Sequence, residues 1–195
     1  MADTNTRRTI GQFKSKLAGG GARPNLFEVE FTDDAIKGGG AWDMERFSFL
    51  CKAASLPAQT ISAIDVPFRG RVFKVAGDRT VDLWTVTVIN DEDFTFRNSF
   101  ERWIELMGQL SNNEGATSPE SYMSTAVVKQ LGRGSKAFSE SSDPTSESQA
   151  ILKTYKFIDM FPTNLSAIEL SYDSGDAIEE YTVEFAVNNI VIDGV

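Results

Sequence analysis

One stretch of this chain, VAGDRTVDLWTVTVINDEDFTFRNSFERWIELMGQL at 75–110, constrains the rest because its hydrophobic period changes midway. Trp84, Val86 and Val88 share one parity while Leu83, Thr85, Thr87 and Ile89 share the other. Neither face is plainly polar, so a strand covered on both sides is expected. At Asn90 and Asp91 the period changes, and the charges of Asp91, Glu92 and Asp93 predict a helix N-terminus there. Phe96, Phe100, Trp103 and Met107 then fall at helical spacing, an apolar stripe suited to pinning a helix on a sheet. Gly108 and the following SNNEG run predict that the helix ends near residue 109.

A chain of 195 residues with 41% hydrophobic content can bury one core, and a single domain is expected. A net charge of -9 argues against binding nucleic acid through phosphate contacts, though not against a surface past which DNA slides. One cysteine allows no internal disulfide, and the absence of histidine removes Cys/His metal clusters and a histidine base. No P-loop, dinucleotide fingerprint, zinc signature or serine-hydrolase elbow occurs, and the glycine runs at 19–21 and 38–40 lack the context for phosphate binding. No cofactor or enzymatic activity is expected. No apolar run reaches the length of a membrane span. The Arg7–Arg8 pair leads into polar, basic residues instead of the apolar core of a signal, which predicts a protein folded in a cytoplasm.

Residues 1–22 carry Arg7, Arg8, Lys14 and Lys16 against Asp3, a net +3 that leaves -12 on the remainder. Such a segment reads either as a solvated tail or as an arm that orders on an acidic neighbour. Leu26–Thr32 alternates with Phe27, Val29 and Phe31 inward and Glu28 and Glu30 outward, as a half-buried strand does. After a turn-rich loop at 33–43, Phe47, Phe49 and Cys51 suggest a second strand, with Cys51 a small buried hydrophobe.

Residues 60–75 place Val66, Phe68 and Val72 on one parity and Arg69 and Arg71 on the other. They suit two short edge strands or one long hairpin with residues 80–89, turning at AGDR, with Gly77, Asp78 and Arg79 at its tip. A projecting hairpin implies a partner. Strands are also expected at 125–131 and 151–158, with a mobile Ser/Gly/Glu-rich loop at 132–149 between them and FPTN at 161–164 as a stop. Finally, Ile168, Leu170 and Tyr172 alternate with Glu169 and Ser171, and Tyr181, Val183 and Phe185 with Glu180, Thr182 and Glu184. Joined at DSGD, these predict a hairpin with one apolar and one acidic face. In a monomer the acidic face is solvated; in a closed ring it would line a channel and repel the phosphates of DNA.

Four stretches, ARPNLFEVEF at 22–31, FLCKAASLPA at 49–58, VAGDRTVDLWTVTVIND at 75–91 and FPTNLSAIELSYDSGDAIEEYTVEFAV at 161–187, resemble the tail tube proteins of T4-like contractile-tailed bacteriophages, in the family's order. The resemblance implies a mainly β fold, an antiparallel sandwich or small barrel with one flanking helix over residues 23–195, behind a flexible basic arm at 1–22. It implies stacked hexameric rings whose inner strands join into a ring-wide barrel. Glu169, Glu180 and Glu184 become lumen-facing candidates. Arg7, Arg8, Lys14 and Lys16 become inter-ring arm candidates, and Arg69, Arg71, Gly77, Asp78 and Arg79 inter-subunit hairpin candidates. The implied partners are further copies of the chain, sheath protein outside, tape-measure protein and phage DNA in the lumen, and baseplate hub and tail terminator at the ends. The implied location is the virion, after assembly in the host cytoplasm.

Two other readings stand beside this one. The inner tube of a contractile injection or secretion system would carry protein effectors in place of DNA. A monomeric ligand-binding β-sandwich would need an exposed aromatic platform, for which Trp42, in a polar loop, is the one candidate.

Overall fold

The computed structural model describes residues 10–17, 21–32, 42–112, 114–135, 149–173 and 175–194. Arg7, Arg8, the glycine run at 38–40 and most of the loops expected at 33–43 and 132–149 lie outside the described residues. The elements, in order, are α1 (Ile10–Lys16), β1 (Phe27–Phe31), α2 (Met44–Leu50), β2 (Cys51–Ser55), β3 (Gln59–Phe68), β4 (Arg71–Val81), β5 (Trp84–Ile89), α3 (Thr95–Met107), α4 (Pro119–Tyr122), β6 (Ser124–Ser135), β7 (Gln149–Leu165) and β8 (Glu180–Gly194). The fold is mainly β, as the sequence indicates.

Six strands form one antiparallel sheet in the order β1-β6-β7-β8-β5-β2, and β3 and β4 pair only with each other. In a flat sheet β1 would lie about 19 Å from β5, four strand spacings away. The Phe31 ring of β1 instead sits 6.0 Å from Trp84 of β5 and 5.8 Å from Phe185 of β8. The sheet is therefore curled into a nearly closed barrel. Its interior is aromatic, with Trp84, Phe157, Phe185 and Tyr181 buried. Helix α3 closes this interior with Phe96, Phe100 and Trp103, all buried, while Met107 is only partly so. Each such ring contributes about 1.5–3 kcal/mol by leaving water.

The parities read from sequence for β1, β5 and one face of β8 match the burial. In β5 Trp84, Val86 and Val88 are buried and Thr85, Thr87 and Ile89 partly buried. Several boundaries differ. Phe47 and Phe49 belong to a helix, not a strand: Asp43 caps α2 by accepting from the Arg46 N–H at 3.1 Å, and Phe47 is buried while Phe49 is 79% exposed. Asp91 and Asp93 do not cap α3. The chain turns first, and α3 starts after Phe94, which has φ 52° and no side-chain cap. FPTN does not stop β7 either. Beyond Met160 that strand has only β8 as a neighbour, and a register shift follows Pro162, so the missing N–H faces an unpaired edge.

The terminal hairpin expected at 167–187 does not form. Both edges of β8 are occupied, by β7 and β5. Residues 166–173 and 175–179 run outside the sheet, leaving Leu170 82% exposed and Tyr172 fully exposed. Trp42, in turn, is no ligand platform, since it packs between Phe47 and Phe96 with centroids 4.8 Å from each.

Candidate functional site

Strands β2 and β5, then β3 and β4, are two lengths of one long hairpin. Ser55 opposes Thr85 and Gln59 opposes Val81 in a single register, and between them the Asp82 N–H donates to the Ala58 carbonyl at 3.0 Å. The first length lies in the barrel, and the second projects from its edge.

The tip falls at Arg69–Gly70, not at AGDR. Both residues have positive φ, 44° and 79°, as a two-residue turn of the primed type requires. Gly77 and Asp78 lie inside β4 and form a bulge there, two residues opposing the single Ser62 between Ile61 and Ala63 of β3. A Cβ on Gly77 would come within 2.5 Å of Ser62 Oγ, so the glycine there permits close approach and makes no turn. The early tip also inverts one parity. Pro67 opposes Val72, so Val72 lies on the other face from Val66 and Phe68.

Cross-strand partners share a face. One face of the projecting hairpin therefore carries Ser62, the pairs Ile64–Val75 and Val66–Phe73, and Phe68 opposite Arg71. All of these are exposed, Phe68 and Phe73 at 65% each. The other face carries Ile61 opposite Arg79 and the Asp65–Lys74 ion pair (2.6 Å). Arg69 lies over the Phe68 ring, and Arg79 donates to Gln59. The five residues singled out from sequence, Arg69, Arg71, Gly77, Asp78 and Arg79, thus all lie on this hairpin. An apolar face this open on a two-stranded ribbon is incomplete as a folded unit.

A second surface is the side of the β7-β8-β5-β2 sheet turned away from the core. Glu184 opposes Thr85 and Thr182 opposes Thr87, two polar rows across the strands, while Glu180 opposes the partly buried Ile89. The Asn164 amide donates to Glu184 at 3.2 Å. Lys52 bonds Glu180 at 2.5 Å, so the positive charge of this bulged strand tempers the face. Glu169 is not on this face but in the exposed segment 166–173. Sequence reading missed Lys52 and Asn164, because their role depends on which strands become neighbours. Lys14 and Lys16 lie in the last turn of α1.

Among the described residues nothing in the geometry resembles a reaction centre. Burial pushes the Cys51 thiol up to about 12, which keeps it protonated and unreactive at neutral pH. Burial also raises the Tyr181 phenol, against the opposing charge of Arg97. Hydrogen bonds donated to Asp91 and then to Asp93 raise the pKa of the Arg46 guanidinium, so the acidic run read as a helix start ties α2 to the turn before α3. Among the described residues no group of acidic, cysteine or histidine side chains could hold a metal, and no helix is long and apolar enough to cross a membrane.

Residues 22–192 match the phage tail tube protein family. Over 167 residues, 86% of this chain and 89% of the relative, the sequence is 34% identical to tail tube protein gp19 of Enterobacteria phage T4, and to that of phage T6 to the same extent. The fold is similar to a chain of the sheath-tube complex, in the extended state, of the PVC extracellular contractile injection system. There the TM-score is 0.59 at 14% identity, over 96% of this chain and 99% of that one. A chain of the anti-feeding prophage baseplate gives 0.58 at 13% identity, over 90% and 97%.

Proposed function

The chain belongs to the phage tail tube protein family, and from that premise we propose that six copies close into a ring, that rings stack into a hollow tube, and that the tube conducts DNA at ejection. The family's members are structural subunits, not enzymes. The observation that carries the proposal is the β3–β4 hairpin, whose apolar face has no partner among the described residues. A neighbouring copy supplies that partner, and hairpins and sheet faces from the whole ring then make one continuous inner barrel.

The lumen is lined by the core-averse face of β8 and β5, with Glu180 and Glu184, and by Glu169 from the segment 166–173. Sixfold repetition makes this a dense anionic surface even where Lys52 neutralises part of it. DNA phosphates are repelled from such a wall and pass without sticking. The basic segment at 1–22 reaches the next ring. Tape-measure protein fills the lumen before ejection, sheath surrounds the tube, and baseplate hub and terminator bound its ends. Assembly takes place in the host cytoplasm and the finished tube resides in the virion.

The injection-system reading rests on fold alone, since those neighbours share only 13–14% identity with this chain. The test is negative-stain electron microscopy of the purified chain over a range of concentrations. Sixfold rings or tubes with a central hole are the expected result. A monomer at all concentrations, also in the presence of a preformed tube end, would overturn the proposal.

A further inference from the structure

We propose that α1 of one copy docks in the groove between α2 and β1 of a neighbouring copy. The inference deepens the assembly reading and rests on it for the partner being a second copy. Ile10, Phe13 and Leu17 form one stripe on α1, at 75%, 66% and 42% exposure, with Lys14 and Lys16 beside it. Seven residues are too few for a helix to persist in water unaided. The helix also lies ahead of residue 22, where the family match begins, so nothing in the shared domain accounts for it.

The groove has a volume of about 930 Å³. Phe27, Leu131 and Ile151 line it from the sheet, and Phe49 of α2 stands 79% exposed at its side. Glu28, Glu30 and Glu45 border it against a single lysine, Lys129, which bonds Glu30 at 2.5 Å. An apolar floor with a net negative rim complements an apolar stripe with lysines beside it. The smaller hollow at the end of α3, about 440 Å³, is a poorer match because Arg97 already pairs Glu101 on its rim.

The arm starts beside its own groove. The Leu131 N–H donates to the Leu26 carbonyl at 2.9 Å, which fixes the entry to β1 there. Residues 18–26 can span at most about 30 Å. Yet none of the described residues covers the stripe of α1. In a ring or stack every arm meets an identical groove on the next copy, a head-to-tail contact that repeats until it closes or extends.

Cysteine cross-linking decides the matter, because the native Cys51 is buried. Chains carrying Lys14→Cys are mixed with chains carrying Ser48→Cys, a groove residue, then assembled and oxidised. The expected result is a disulfide-linked dimer on a non-reducing gel, absent when Glu120→Cys on α4 replaces Ser48→Cys. A link formed only within a chain carrying both cysteines would overturn the proposal in favour of a self-covering arm. So would a Gly70→Cys to Ser48→Cys link in place of the arm link, since the neighbour's hairpin tip would then fill the groove. Independently, Phe13→Asp and Phe49→Asp, both at exposed positions, should raise the concentration needed for tubes by about tenfold or more while leaving the fold intact. Tubes formed by both variants at wild-type concentration would contradict the docking. A wild-type chain that forms no rings contradicts the tube reading itself, and the cross-link still decides the docking in solution.

Discussion

Strands β4 and β5 are separated by two residues and share a pairing register, yet they meet opposite environments. Every large apolar side chain of β5 is at least partly buried, whereas Val72, Phe73 and Val75 of β4 are exposed. Their composition does not separate them, since both are rich in β-branched and aromatic residues. The difference is one of neighbours: β5 sits between β8 and β2 above an aromatic interior, and β4 has only β3. Strand propensity thus says that a segment will pair. Whether its apolar side is covered within the chain or by another molecule depends on topology.

The largest expected contrast comes from truncating the same kind of side chain on each part. Trp84→Ala or Phe185→Ala should cost about 3–5 kcal/mol in urea unfolding and leave little folded protein. Phe73→Ala should change the monomer by less than about 0.5 kcal/mol but abolish rings in electron micrographs. Equal loss of monomer stability at both places would break the distinction. Gly77→Val forces a side chain against Ser62 and should disturb the hairpin by about 1–3 kcal/mol, seen as assembly failure with an unchanged main unfolding transition.

Cys51 probes the barrel side through pH. Its folded-state value lies near 12 against an ordinary 9.0, so the stabilisation is complete below pH 9 and is lost as pH rises toward 12. A thiol reagent at neutral pH should label none of the native protein and one site after unfolding. Cys51→Ser should flatten the alkaline loss. The smallest effect is expected at the tip. Arg69 occupies a left-handed conformation that asparagine tolerates better, so Arg69→Asn should stabilise the hairpin by about 1 kcal/mol and shift assembly to slightly lower concentration.

Parity within one strand is legible in the sequence, and pairing between strands much less so. Alternation in β1, β5 and β8 identified their buried faces, because a face needs only the parity of one strand. Partners were less legible. Gly77–Asp78 has the composition of a turn, but the ladder places Gly77 where Ser62 approaches and puts the turn at Arg69–Gly70, whose one cue was Gly70. Residues 168–172 alternate like a strand, but no free edge was left for them beside β8. Phe47 and Phe49 fit a strand period by chance. Asp43, followed by Glu45 in the first turn, was the cue that could have revealed α2. The acidic face was visible as a parity; its lysine and asparagine partners were not, because they come from β2 and β7.

The central claim is that the hairpin at 59–81 is completed by another copy. Peptide-resolved hydrogen exchange, on dilute monomer and on assembled protein, tests it most directly. The amides of β3 and β4 should exchange far faster than those of β5 and β8 in the monomer and become protected on assembly. Hairpin amides as protected in the monomer as the barrel's, or equally fast in both states, would contradict it.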